Sequence, residues 1–447
     1  MSTALARLKL CGLCKSEPWT SGGQSEMLPP RSSTVRSLRR PQRQETTDTV
    51  QTPSVERNLK LIPLHQALSS SMVYLPVFVL FTRDNFGVSG ALQIASLTYL
   101  FIVVLEVPSG WMSDLFGRVP TLSVAATGFV IGQACFLFGG TEFGIIVLGQ
   151  FFVSAGYAFI SGTDVSFHFD SLEGLGRDGE YLHRQARISS LSYLVRTVSA
   201  LVGGVLGLID LRLTFAVSLV IALGQLAVTR LLYEPGESEV KAERFVNQIG
   251  KCLGYLRHGF MAWLFFYGIA LVVLEHVAFT LMQPWLTQAL GKSPDELGAT
   301  PLVSGGLFAV TAFVGALAAR SSAPAGERFG TVRTLIGLGL VSAVIVTGMA
   351  LSFSILILGL MVFRSVQGAA APVLISASVA PRTEQQHRAT LLSINSLAGR
   401  LFYGGLLQAL AINVEDDPRP FLQATSVISW ILVALLLATG TWAAGRE

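Results

Sequence analysis

The chain has little charge and little cysteine. Only 13% of its 447 residues are charged and 51% are hydrophobic, whereas soluble domains carry about 25% charged residues. A soluble protein of this composition would have too little polar surface, so the sequence predicts a membrane protein. The four cysteines are too few and too scattered for a disulfide framework. The net charge of +4 is spread over loops and one tail, so we expect the lipid bilayer, and no nucleic acid, as a partner.

Residue motifs typical of metal sites and catalytic sites are also missing from the sequence. Cys11 and Cys14 form a bare CxxC motif with no second pair and no neighbouring histidine. Asp164 and His168 stand four residues apart, but no third metal ligand is placed nearby. No nucleophile, metal set or acid pair is clustered at one depth, and no repeated segment is typical of a channel filter. We therefore expect no enzyme activity, no metal and no cofactor.

Long apolar runs follow one another through most of the chain. A helix needs about 20 apolar residues to cross a bilayer. The runs predict an all-α membrane protein with 12 transmembrane helices. These cover residues 62–82, 91–107, 119–139, 143–162, 188–209, 213–233, 259–282, 302–319, 332–351, 354–375, 389–412 and 421–442.

Polar segments divide the chain. Residues 1–57 are rich in Pro, Ser, Thr and Arg, a composition that cannot bury a core, so we expect a disordered basic tail. Residues 58–233 and 259–447 each hold six crossings, and residues 234–258 form a cytoplasmic linker. With the N-terminus inside, the inner loops and C-terminal end carry fifteen basic residues and the outer loops four. This bias predicts a multi-pass protein of the cell membrane with both termini in the cytoplasm.

The two halves share sequence. FGRVPTL at 116–122 returns as FGTVRTL at 329–335. The R-x4-S-x2-S-x3-R pattern of residues 184–196 recurs at 388–400. Two matches in the same order, each joining equivalent crossings, predict two pseudo-symmetric six-helix halves, an architecture found in transporters.

A charged segment, EVPSGWMSDLFGR at Glu106–Arg118, lies between the second and third crossings. Gly110 permits a close approach of two helices, and Gly117 permits a reversal with positive φ. Asp114 can accept hydrogen bonds from amides at a helix start or from an arginine, and Arg118 is held on the cytoplasmic side. This spacing suits the tight hinge loop of a transporter. An ordinary short loop between two membrane helices is the alternative.

GWMSDLFGRV resembles the GxxxDRxGRR loop signature of the major facilitator superfamily, although Leu115 and Val119 stand where basic residues are common. Arg364-Ser-Val-Gln367-Gly368 resembles the RxxQG signature of proton-coupled exporters, but it lies in the tenth crossing and not in the fourth. LEVPSGWMSDLFGR, SGTDVSFHFDSL and RATLLSINSLAGR are similar to motifs of a bacterial subgroup of permeases and drug-exporter-like proteins. The resemblance implies the 12-helix fold of that superfamily and alternating access between its halves.

Charged side chains inside the predicted crossings cost about 2.5–3.5 kcal/mol each and so require a partner or a use. The candidates for substrate binding or coupling are Arg196, Glu275, His276, Arg364, Gln367 and Arg400. The arginines either lock helices together or face a central cavity and attract an anionic group. Glu275 is either a proton carrier, as a desolvated carboxyl permits, or an acid neutralised by an arginine. His276 by itself is more typical of packing.

Charges at the inner ends of the crossings predict a gate. Asp164 and Asp170 follow the fourth crossing, and Arg184 and Arg187 begin the fifth. Salt bridges between them would close the inner mouth in one state and break in the other, whereas a solvated charged loop is the alternative. The further gate candidates are Glu106 and Arg388.

Together these features predict a secondary active transporter. Our leading hypothesis is efflux of a small organic solute or drug by a monomeric antiporter that exchanges it for protons. An organic-anion permease is the alternative that the three embedded arginines favour. A non-transporting receptor or assembly protein on the same fold is the other alternative.

Overall fold

The computed structural model describes residues 43–235, 245–280, 285, 301–411 and 419–446. The chain divides into two units, Met1–Thr47 and Asp48–Glu447. In the first unit the structure describes only the start of one helix, Arg43–Thr47. The helical bundle belongs to the second unit.

All regular secondary structure among the described residues is helical. The α-helices are α1 Arg43–Ser69, α2 Leu75–Phe116, α3 Arg118–Phe138, α4 Phe143–Ile160, α5 Thr163–Glu173, α6 Tyr181–Ile209, α7 Leu211–Thr229, α8 Phe245–Gly254, α9 Gly259–Thr280, α10 Pro301–Phe329, α11 Thr331–Leu351, α12 Ile355–Met361, α13 Ser365–Val379, α14 Gln385–Ala411 and α15 Arg419–Ala444. Short 3-10 turns lie at Asp178–Glu180, Tyr255–Arg257, Val362–Arg364 and Ala380–Arg382.

Ten helical segments of the described residues are long and apolar enough to cross a membrane. They correspond to ten of the twelve predicted crossings. The first predicted crossing is interrupted at residues 70–74, and the eleventh corresponds to α14, whose first half carries polar and charged residues. The helices are therefore consistent with the predicted count of twelve.

The predicted hinge loop is helical along nearly its whole length. α2 continues to Phe116 and α3 begins at Arg118, so Gly117 alone makes the reversal, with a φ of 103°. The loop prediction was therefore wrong for residues 108–116, which follow the predicted second crossing, while the positive φ at Gly117 is confirmed. α2 also contains a non-helical residue, Gly87, with a φ of 70°, where the first predicted crossing turns into the second.

The prediction of a disordered tail was wrong for residues 43–57, because α1 begins at Arg43. Val55 is buried, and Arg57 donates to the carbonyl of Leu231. The Asn58 side chain donates to the carbonyl of Tyr233 at 2.7 Å and accepts from its amide at 2.9 Å. These contacts hold α1 against the end of the first half. Residues 1–42 lie outside the described part of the chain.

Each half has its own core. In the first half, α3 packs against α4 and α7 around a cluster of rings: Tyr74, Phe78, Phe81, Phe136 and Phe215. In the second, α9 packs against α14 and α11 against α15. The linker between the halves contains α8, and its residues 236–244 lie outside the described ranges.

The two halves meet chiefly along two helix pairs, α6 with α10 and α2 with α14. In the first pair, glycine residues allow the two helix backbones to approach each other closely. A Cβ atom at Gly305 would lie 2.5 Å from the carbonyl oxygen of Ala200, and one at Gly204 would lie 3.0 Å from that of Pro301. In the second pair, a Cβ atom at Gly110 would lie 2.6 Å from the hydroxyl of Ser393, so the predicted close approach at Gly110 is observed.

Candidate functional site

Asp114 joins the two halves. Its carboxylate accepts hydrogen bonds from the backbone amide of Thr390 at 2.8 Å, the hydroxyl of Thr390 at 2.6 Å and the amide of Ala389 at 3.2 Å. These amides lie in the second turn of α14, just after the four N–H groups that a helix start leaves without helical partners. Asp114 is almost fully buried. The sequence predicted an arginine or the amides of a helix start as partners, whereas the amides observed lie one turn further along the helix.

Arg118 supplies that arginine. Its guanidinium pairs with Asp114 and donates from Nε to Asp170 at 3.0 Å. It also donates to the hydroxyl of Ser113 at 3.0 Å and to the carbonyl of Gln385 at 2.6 Å. Arg118 is 2% exposed. One buried side chain of the first half therefore contacts α2, α5 and α14 together.

Arg388 completes this arrangement from the second half. It pairs with Asp170 and donates to the carbonyls of Ala380 at 3.1 Å and Thr383 at 3.0 Å. Its guanidinium carbon lies 4.3 Å from the centre of the Phe169 ring. We call Asp114, Arg118, Asp170 and Arg388 the ionic lock. Its two carboxylates balance two guanidinium groups in a buried setting.

The other predicted gate residues lie elsewhere. Arg184 pairs with Glu180, four residues earlier in the chain, at 2.7 Å, and Arg187 is exposed. Asp164 accepts from the adjacent amide of Val165 at 2.8 Å. The structure therefore does not bring Asp164, Arg184 and Arg187 into the lock. Asp170 is the member of this predicted group that pairs with Arg118 and Arg388.

A residue of the linker also forms hydrogen bonds at the ionic lock. The amide nitrogen of Gln248, on α8, lies 2.9 Å from the hydroxyl of Thr390, 2.8 Å from the carbonyl of Gln386 and 3.2 Å from Asp114. Gln248 is 4% exposed, and Cys252, one turn later, is fully buried. The linker helix thus lies with one face against the start of α14. Sequence reasoning missed Gln248, because the segment was predicted only as a polar connection.

Glu234 was also missed. Its two carboxylate oxygens accept from the amides of Arg118 and Val119, each at 2.7 Å, and so cap the first turn of α3 from the end of the first half. Burial raises the pKa of the Glu234 carboxyl above its ordinary value of 4.5, although these two amides partly offset the rise. The cap fixes the position at which Arg118 enters the lock.

Glu106 lies deeper in the bundle than the lock. Its carboxylate is fully buried, accepts from the hydroxyl of Ser161 at 2.6 Å and lies 3.7 Å from Nε of Arg400. Glu106 was predicted as a gate residue at the helix end. The structure instead places it beside one of the embedded arginines, and the pair joins α2 to α14.

Three embedded arginines lie within electrostatic range of one carboxylate. Arg364, Arg196 and Arg400 all interact electrostatically with Glu275, although they come from three different segments. A side chain at Gly368 would collide with the Glu275 carboxylate, so this glycine lets the carboxylate lie against the backbone of α13. We call Arg196, Arg364, Arg400, Glu275 and Glu106 the arginine cluster. When all five groups are ionised, three guanidinium groups against two carboxylates leave one net positive charge.

The arginine cluster is not saturated with hydrogen bonds. Nε of Arg196 is buried and has no hydrogen-bond partner among the described residues, and neither has one carboxylate oxygen of Glu106. The guanidinium carbon of Arg196 lies 4.8 Å from the centre of the Tyr193 ring. The side chain of Arg400 is 24% exposed. These groups are thus available to a further polar partner.

Two other candidates pack against helices. His276 donates from Nδ1 to the carbonyl of Val272 at 2.9 Å, and its ring lies 5.3 Å from that of Tyr403. Gln367 donates to the hydroxyl of Tyr267 at 3.1 Å. Tyr267 in turn donates to a carbonyl of α11 at 2.8 Å. Both side chains therefore hold neighbouring helices of the second half together.

The sequence matches the model of a known protein family. The family model described as Major Facilitator Superfamily matches residues 66–406. The chain belongs to the major facilitator superfamily. This membership confirms the resemblance drawn from the sequence and the predicted fold, and it makes the chain a multi-pass membrane transporter, not an enzyme.

Solved structures of this superfamily share the fold. The human organic anion transporter MFSD10 is 16% identical, with a TM-score of 0.63 over 86% of this chain and 99% of that one. A variant of the E. coli fucose:proton symporter FucP is 12% identical, with a TM-score of 0.65 over 88% and 99%. A bacterial homologue of the iron transporter ferroportin, in an outward-facing state, is 14% identical, with a TM-score of 0.62 over 86% and 99%. The search of curated proteins finds no match. At such identities the likeness shows the fold alone.

Proposed function

We propose that this transporter moves a small organic anion by alternating access, with the arginine cluster as the binding site and the ionic lock as the gate at one end. Two observations carry this proposal: three embedded arginines act electrostatically on the Glu275 carboxylate, and the buried Nε of Arg196 has no hydrogen-bond partner among the described residues. A similar fold in an organic anion transporter is compatible with it.

The charge of the arginine cluster favours an anion. A buried net positive charge in an apolar bundle is costly, and an anion that neutralises it removes part of that cost. The planar guanidinium fork also matches a carboxylate or phosphate geometrically. Arg196 comes from the first half, whereas Arg364 and Arg400 come from the second. A bound anion would therefore draw the halves together.

The ionic lock suits the role of a gate, because its pairs connect the halves. Asp114, Arg118 and Asp170 belong to the first half, and Arg388 and Thr390 to the second. Opening this end of the bundle requires these pairs to separate, as in other two-state transitions. The bias of basic residues predicts that the lock faces the cytoplasm. The membrane, the orientation of the termini and a monomeric state remain predictions.

Glu275 provides a means of coupling to protons. Without substrate, its carboxylate has the three arginines as electrostatic partners. An anion bound to those arginines would compete with Glu275, and a desolvated carboxyl that loses its cationic partners favours the neutral form. Anion and proton would then bind together and move in the same direction. This geometry favours anion–proton cotransport over the proton exchange of our leading sequence hypothesis.

Transport into proteoliposomes tests the proposal. Purified protein is reconstituted and given mixed labelled organic anions or cations, with and without an inward proton gradient. We expect anion uptake that the gradient stimulates, that Arg196→Ala abolishes and that Glu275→Gln makes insensitive to the gradient. Arg184→Ala is the matched control, because this arginine lies outside both sites and should transport normally. Uptake of cations alone, or equal anion uptake by Arg196→Ala and wild type, would rule the proposal out.

A further inference from the structure

The first predicted crossing is broken inside the bundle. α1 ends at Ser69 and α2 begins at Leu75. A cavity of about 20 Å³ lies at the break, which is room for about one water-sized occupant. Polar side chains from three further helices face it across the break. The polar groups that line the cavity include those of Ser71, Tyr74, Gln133, Tyr157, Ser218 and Gln225.

Two glutamines in the wall of this cavity have unused polar atoms. Oε1 of Gln133 and Nε2 of Gln225 are buried and have no hydrogen-bond partner among the described residues. The two side chains are only 3% and 2% exposed. Leaving a buried polar atom unpaired costs about 1–3 kcal/mol. The cavity therefore contains two groups that a polar occupant would satisfy, and rotation of the Gln225 amide presents its oxygen instead of its nitrogen.

The remaining groups are held in place by hydrogen bonds. The hydroxyls of Tyr74 and Tyr157 lie 3.1 Å apart, and that of Ser71 lies 2.8 Å from Ser199. The hydroxyl of Ser218 donates to the carbonyl of Thr214 at 2.7 Å, which leaves its lone pairs free to face an occupant. These positions form a prearranged shell of neutral oxygen atoms.

The chemistry of this shell favours a monovalent cation. Among the described residues that line the cavity there is no carboxylate, whereas Ca²⁺ and Mg²⁺ sites in proteins rely on carboxylates. The end of α1 contributes the negative end of a helix dipole, and interrupted transmembrane helices use such ends to coordinate Na⁺. The size of a single water molecule suits Na⁺ better than a larger ion or an organic solute.

We propose that this cavity binds Na⁺, with Gln133, Gln225 and the hydroxyls of Tyr74 and Tyr157 among its ligands. The site is separate from the arginine cluster and holds whether or not the transported solute is an anion. A bound Na⁺ ties the broken first crossing to α3, α4 and α7. Sodium thereby stabilises the first half of the transporter.

Thermal denaturation of the purified full-length protein tests this site, since a ligand of the folded state raises Tm by mass action. NaCl, KCl and choline chloride are compared at equal ionic strength. We expect Tm to rise by several degrees with the logarithm of the NaCl concentration, to rise less in KCl and to stay constant in choline chloride. Equal Tm values in NaCl and choline chloride would overturn the proposal and leave water as the occupant. A larger rise in KCl than in NaCl would overturn the choice of ion.

Substitutions in the cavity wall test whether the NaCl-dependent rise in Tm arises at this site. Gln133→Met removes the amide while keeping the length of the side chain, and it should abolish the NaCl-dependent rise in Tm. Gln150→Met is the matched control, because Gln150 is a buried glutamine of α4 outside the cavity and should keep the rise. If Gln133→Met does not fold, Tyr157→Phe, which removes one hydroxyl, serves instead. A rise that persists in the folded cavity variants places the ion elsewhere and overturns the proposal.

Discussion

The ionic lock and the arginine cluster are both buried groups of charges between the same two halves, yet they differ in saturation. In the lock, two carboxylates and two guanidinium groups balance, and Arg118 and Arg388 donate in addition to backbone carbonyls. In the arginine cluster, positive charge is in excess and buried polar atoms of Arg196 and Glu106 lack partners among the described residues. A saturated set holds one conformation, whereas an unsaturated set is prepared for a ligand.

This difference predicts that the largest loss of stability follows from damage to the lock. Asp170→Asn keeps the shape of the side chain but leaves Arg118 and Arg388 with one fewer carboxylate. Breaking a buried ion pair from one side costs about 3–5 kcal/mol, so we expect a large fall in Tm. Glu173→Gln is the control, because that carboxylate is 52% exposed and 3.6 Å from Arg388. Equal Tm values for the two variants would contradict the central role of Asp170.

Substitution in the arginine cluster should lower anion affinity and leave the melting temperature nearly unchanged. Arg196→Ala removes a guanidinium whose Nε has no hydrogen-bond partner in the described part of the chain, so we expect little change in Tm. We expect anion affinity to fall at least about tenfold, equivalent to about 1.4 kcal/mol. Binding is measured by calorimetry with an anion identified in the proteoliposome assay. A variant that loses stability and keeps its affinity would show that Arg196 is structural.

The linker should contribute to the lock by an intermediate amount. Gln248→Leu removes the hydrogen bonds to Thr390, Gln386 and Asp114, and we expect a loss of about 1–2 kcal/mol, the cost of buried partners left unpaired. Asn247→Leu, at the exposed neighbouring position, should change Tm little. A double-mutant cycle of Gln248→Leu with Thr390→Val measures the coupling directly. Strict additivity would mean that α8 does not act through the lock.

The smallest effect is a pH dependence at the cap of α3. Burial raises the pKa of the Glu234 carboxyl. A raised pKa in the folded state means that the contribution of this group to stability is complete below its unfolded pKa and is lost as pH rises through the folded value. Relative to Glu234→Gln, the wild type should therefore lose stability as pH rises from about 4.5. Parallel Tm curves for the two proteins across that range would contradict this assignment.

Several features of the site were accessible from the sequence because they depend on local chemistry. The predicted positive φ at Gly117 and the close approach at Gly110 follow from glycine's lack of a side chain. The arginine predicted as a partner of Asp114 is observed, and backbone amides in the second turn of α14 also donate to it. The embedded arginines were recognised because charge is rare and costly in apolar helices.

Other features required the packing of distant helices. Asp170 pairs with Arg118 and Arg388, 52 and 218 residues away, and not with the nearby Arg184. Sequence proximity favoured Arg184, but its side chain lies near Glu180 on the outer face. The hinge was predicted as a loop because charges and glycines interrupt the apolar pattern, whereas packing of α2 against α14 keeps it helical to Phe116.

The sequence by itself determined the membrane helices, the two related halves and the superfamily, because hydropathy, charge bias and motif spacing are properties of the chain alone. Only the tertiary structure decided which charges meet. Glu106 pairs with Arg400, three arginines act electrostatically on Glu275, and Gln248 of the linker donates to Asp114 of the lock. The physical reason is that ion pairs and hydrogen bonds act over a few ångströms, so partners are set by the helix faces that packing brings together.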